Sequence, residues 1–93
     1  MLGPEDHAAE KEKRFRLAPG TQVREENFGL LFYTMKGPRL FFLTCGRLLG
    51  PGFFAGEISL AQWGKENSLP ENSLPKLVGS LNRLRDKGVI LEC

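Results

Sequence analysis

The sequence predicts an α+β domain, a three-stranded antiparallel sheet packed against three helices, and three observations carry that reading. Two aromatic-rich runs, GLLFYTM and RLFFLT, flank the turn tripeptide Lys36-Gly37-Pro38. Leucines recur at three- and four-residue spacing near the carboxyl end. A chain of 93 residues has apolar surface enough for one core but not for two.

Each element has its own local signal. Met1 to Arg14 (MLGPEDHAAEKEKR) is dense in both signs of charge and has one large apolar side chain, Leu2, so residues 1–14 read as a disordered charged arm. Residues 15–93 read as the single folded domain. At its start Phe15 and Leu17 alternate with Arg14 and Arg16, and Pro19-Gly20 gives a turn. Thr21 to Arg24 is the first secure strand. Gly29 to Met35 and Arg39 to Thr44 form a hairpin, because Gly37 can take positive φ while Pro38 has no amide to place in a ladder.

Cys45 to Gly56 is contested: Gly46, Gly50, Gly52, Gly56 and Pro51 penalise a helix, whereas Leu48, Leu49, Phe53 and Phe54 demand burial. A single helical turn followed by an irregular apolar loop is expected. Ser59 caps a short helix over Leu60 to Glu66. The tandem ENSLP-ENSLP of Glu66 to Pro75 is too short for a solenoid and reads as a loop duplication, each copy offering a cap ahead of a helix-starting proline. The second copy opens the clearest helix, with Leu74, Leu77, Val78, Leu81 and Leu84 on one face and Lys87-Gly88 at its end. Val89-Ile90-Leu91 is a terminal strand or arm.

Composition excludes several function classes. The 41% apolar and 26% charged content is that of a globular chain, and no apolar run reaches the ~18 residues of a membrane span. The amino terminus lacks the apolar stretch of a secretory signal, so a cytoplasmic location is expected. A net charge of +2 neither demands nor excludes an anionic partner. Cys45 and Cys93 form neither a disulfide framework nor a metal pattern, and the single histidine, His7, lies in the charged arm. Neither a catalytic constellation nor a phosphate-binding glycine loop is found, so the sequence predicts a protein without catalytic activity, cofactor or metal.

Two helices joined by a turn beside a small sheet is the winged helix-turn-helix plan, which brings in DNA binding as an alternative. The last helix exposes Lys76, Ser80, Asn82, Arg83, Arg85, Asp86 and Lys87, a basic-polar face weaker than major-groove readers carry. The hairpin is more informative. Leu30 to Tyr33 and Leu40 to Leu43 are continuously apolar, so both sheet faces are apolar. Either one face awaits a partner, or the arm or the Phe53-Phe54 loop folds over it. An edge strand can also accept an extended peptide as an additional strand, which recognises a peptide without catalytic residues. Two outward amide sets are open, Phe41 with Leu43 and Leu40 with Phe42.

Val23 to Phe42, VREENFGLLFYTMKGPRLFF, is similar to the mycofactocin-system peptide chaperones, small members of the PqqD-like class of RiPP recognition elements. Glu26-Asn27-Phe28-Gly29 leading into Leu30 to Tyr33 resembles that family's acid and Phe-Gly pair before an apolar strand, and Gly37, Arg39 and Leu40 fit its turn and third strand. The family has a regular helix after that strand, where this chain has its glycines. The resemblance implies a three-stranded sheet on three helices and a groove that holds a precursor's leader segment as a fourth strand for a radical SAM maturase. Carried over by position, the groove is Arg39, Leu40, Phe41, Phe42, Leu43 and Thr44 against Leu77, Ser80, Leu81 and Leu84. The expected partners are thus the precursor peptide and the maturase, with a homodimer through the edge strand as a further possibility, and no membrane.

Overall fold

In a computed structural model, which describes residues 11–35 and 39–93, the chain is an α+β domain of five strands and, among those residues, two α-helices. The strands are β1 (Phe15–Leu17), β2 (Thr21–Glu26), β3 (Gly29–Thr34), β4 (Arg39–Leu43) and β5 (Ile90–Glu92). The helices are α1 (Leu60–Glu66) and α2 (Leu74–Asp86), with 3-10 turns at Pro51–Phe54 and Glu71–Ser73. The charged arm through residue 10, with His7, and the Lys36-Gly37-Pro38 turn lie outside the described residues.

The expected meander is present: β2, β3 and β4 form a three-stranded antiparallel sheet in that order. Its register pairs Val23 with Phe32 and Phe32 with Phe41 on one face, and Arg24 with Leu31 and Leu31 with Phe42 on the other. The first face is dry. Leu30, Phe32 and Leu43 are buried there with Leu49, Phe53, Phe54 and the inward leucines of α2.

A second, two-stranded sheet pairs β1 with β5, Phe15 opposite Glu92 and Leu17 opposite Ile90. It ties the beginning of the domain to its end, helped by the Cys93 amide, which donates to the Arg14 carbonyl at 2.9 Å, and by Lys13 Nζ, 3.3 Å from Glu92. Lys13 and Arg14, at the end of the charged stretch, are thus already tied to the domain.

The Cys45 to Gly56 stretch has the expected single turn but in the opposite order. The irregular part comes first and the helical turn second, as a single 3-10 turn at Pro51–Phe54 whose Phe53 amide donates to the Gly50 carbonyl at 3.1 Å. Proline supplies the reason: at a first helical position its missing amide costs nothing, and Gly56 at φ 80° follows the turn and stops it from lengthening. Two α-helices, not three, therefore stand beside the sheet among the described residues.

Both helices end as their sequences dictate. The Ser59 hydroxyl accepts the Gln62 amide at 3.2 Å and caps α1. At the end of α2, Gly88 takes φ 78°, and the Gly88 and Val89 amides donate to the Arg85 and Leu84 carbonyls at 3.0 Å, a Schellman motif. Gly64 of α1 packs beside Leu74 of α2, and the Trp63 indole donates to the Leu48 carbonyl at 2.8 Å.

Candidate functional site

Among the described residues β4 is an edge strand, bonded to β3 on one side only. Which of its backbone groups face outward is set by one hydrogen bond and the alternation of an antiparallel ladder. The Met35 amide donates to the Gly20 carbonyl at 2.9 Å, so Met35, Tyr33, Leu31 and Gly29 direct their backbone groups toward β2. Leu30, Phe32 and Thr34 then direct theirs toward β4, to their partners Leu43, Phe41 and Arg39. Leu40 and Phe42 are left with backbone amide and carbonyl pointing away from the sheet. Of the two open amide sets, this ladder selects Leu40 with Phe42.

The same two residues are the most exposed apolar side chains of the strand, at 60% and 62%. They lie with Leu31 and Tyr33 on the face opposite the core, where the Phe28 ring stands edge-on to Phe42 with centroids 5.7 Å apart. The Phe53-Phe54 turn does not cover this face. It packs on the other, with Phe54 5.2 Å from Phe32. The arm through residue 10, the other expected cover, lies outside the described residues.

Between β4 and α2 runs a cleft of about 280 Å³, lined by Phe41, Phe42, Leu43, Thr44, Ser80, Arg83, Leu84 and Lys87. Six of the ten positions expected for the groove are in that lining. Leu77 and Leu81 are buried beneath it in the core, and Arg39 and Leu40 lie toward the other end of the strand beside Tyr33, Thr34 and Met35. Leu77 and Leu81 therefore support the groove wall without facing the cleft, because their helical positions belong to the core stripe.

Arg83 and Lys87 are the residues missed. The signal was present in their spacing, since positions 80, 83, 84 and 87 fall on one helix face. In the sequence they belong only to the basic-polar face that brings in DNA binding. Neither forms an ion pair among the described residues, and no acidic side chain lines the cleft. Arg85 differs: its guanidinium donates to Glu92 at 2.9 Å and to Asp86 at 3.3 Å, and the Glu92 bond holds its pKa above the ordinary arginine value. It belongs to the link between α2 and β5.

Among the described residues no group of three His, Cys, Asp or Glu side chains gathers as a metal site, and no helix is long and apolar enough to cross a membrane. No protein-family model, curated protein or solved structure matches this chain.

Proposed function

We propose that this domain is a non-catalytic peptide carrier on a winged-helix-like scaffold. It binds the leader of a ribosomally made precursor peptide by strand addition at β4 and presents it to a radical SAM maturase, as in mycofactocin-type cofactor biosynthesis. The observation that supports this most is the coincidence, at Leu40 and Phe42, of outward backbone groups with exposed apolar side chains beside a cleft. Main-chain hydrogen bonds supply affinity and the cleft reads alternate side chains. Without peptide, the same edge is open to a second copy of the chain.

The test uses hydrogen exchange and proline substitution. Added extended peptide protects the Leu40 and Phe42 amides. Phe42→Pro deletes an outward bond and sets a ring against the incoming strand, so affinity falls about tenfold or more while the fold survives. Phe41→Pro instead breaks the internal ladder and destabilises the domain. Undiminished binding by Phe42→Pro rejects strand addition at this edge.

The second reading, a winged-helix DNA-binding regulator, is favoured by Arg83 and Lys87 on the surface of α2, which form no ion pair among the described residues. It predicts binding to duplex DNA that weakens steeply with salt and is indifferent to Phe42→Pro.

A further inference from the structure

We infer that the strand accepted by β4 carries an acidic side chain between two apolar ones, the carboxylate docking on Arg83 and Lys87. This rests on the strand-addition reading and specifies its ligand.

The alternation of an added strand gives the pattern. Cross-strand neighbours share a face, so peptide residues paired with Leu40 and Phe42 lie beside them on the apolar outer face. The residues between them point to the other face, into the cleft under α2. Its floor is Phe41, Leu43 and Leu84; its wall holds the Ser80 hydroxyl and the two cations. An apolar side chain at that position buries against the floor but leaves Arg83 and Lys87 partly desolvated without a counter-charge. A carboxylate supplies that counter-charge in a partly water-excluded site, where charge-assisted bonds are stronger than neutral ones.

The charge also chooses among occupants. A second copy of β4 on the same edge sets cations against cations. Nucleic acid meets an apolar floor and an exposed Phe42, with Asp86 nearby on α2, a poor match for a phosphate backbone.

Fluorescent peptides with a central Val-Xaa-Leu in serine-threonine flanks, Xaa being Asp, Asn or Lys, test this by anisotropy against the whole chain. The Asp peptide binds about tenfold tighter than the Asn peptide, and the Lys peptide binds most weakly. Arg83→Gln with Lys87→Gln removes that preference, lowering affinity for the Asp peptide to that for the Asn peptide. Arg83→Lys with Lys87 intact retains it, and Lys65→Gln on α1 leaves it unchanged. Added salt erodes the preference for Asp and little else. Equal binding of the Asp and Asn peptides, with Phe42→Pro still weakening both about tenfold or more, overturns the acidic pattern and leaves strand addition standing. Failure of every peptide to bind, or binding indifferent to Phe42→Pro, overturns both. Displacement of the Asp peptide by duplex DNA that itself depends on Arg83 and Lys87 assigns the cations to nucleic acid and overturns the proposal.

Discussion

Gly29 stands at φ 147°, where a Cβ would meet the Cys45 nitrogen at 2.7 Å and lie closer still to the Leu43 carbonyl oxygen. The start of β3 and the end of β4 approach each other there with no room for a side chain, so Gly29→Ala combines backbone strain with a clash against main-chain atoms that cannot rotate away. The expected cost is about 3 kcal/mol or more. An unchanged urea midpoint contradicts the close approach. The neighbouring Cys45 thiol is buried, and burial pushes its pKa up from the ordinary thiol value. Its contribution to stability is fully present below the unfolded thiol's pKa and is lost as pH rises through the raised one. The stability of the wild type should therefore fall more steeply on the alkaline side than that of Cys45→Ala. In thiol labelling, exposed Cys93 reacts promptly and Cys45 waits for opening; equal rates for the two refute the burial argument.

At the level of elements, the two ENSLP copies place identical words in different structures. The first closes α1: Ser68 takes φ 53°, its amide donates to the Lys65 carbonyl at 3.4 Å, and the Leu69 amide donates to the Gly64 carbonyl at 2.9 Å. The second opens α2: Ser73 has φ −82° and its hydroxyl donates to the Pro70 carbonyl at 2.6 Å. One substitution therefore has opposite signs in the two copies. Ser68→Gly relieves a left-handed backbone and stabilises by about 0.5 to 1 kcal/mol, whereas Ser73→Gly frees the backbone ahead of a helix and destabilises by a similar amount. Shifts of the same sign in thermal melts reject this assignment. Of the two copies expected to open helices, only the second does, with Pro75 in the first turn but no side-chain capping bond from Ser73, because the downstream residues decide the outcome: Leu69-Pro70 leads into the short 3-10 turn Glu71–Ser73, Leu74-Pro75 into a leucine stripe. The meander, α1 and α2 were legible because their signals are local, in caps and periodicity. The pairing of β1 with β5 was not, since it joins the two ends of the domain and neither strand carries a mark of its partner. The edge phase was hidden for another reason. Period-two patterning tells which face a residue takes, but not which edge its amide takes; the two-residue connection at Asn27 and Phe28 sets that.

For the whole molecule, the open edge of β4 raises the question of what the protein does without a ligand. Two copies can pair β4 with β4 about a two-fold axis through Phe41, Leu40 of one opposite Phe42 of the other, which satisfies the outward backbone groups of both. Each new bond is worth about 0.5 to 1.5 kcal/mol net, to be set against the several kcal/mol that association costs in lost freedom. Apolar contact between the exposed Leu40 and Phe42 side chains adds to the gain, and repulsion between the Arg83 and Lys87 clusters flanking the edge subtracts from it. The balance favours a monomer at micromolar concentration and low salt. Salt shortens the screening length from about 10 Å at 0.1 M to about 3 Å at 1 M and strengthens apolar association, so the repulsive contribution fades while the attractive ones persist. Sedimentation velocity should show the weight-average mass of the peptide-free protein rising with sodium chloride. Leu40→Lys, which puts a charge on the edge, should hold it at the monomer. The opposite trend, self-association at low salt that dissolves at high salt, means that copies meet through complementary charges elsewhere, and that Arg83 and Lys87 do not guard this edge.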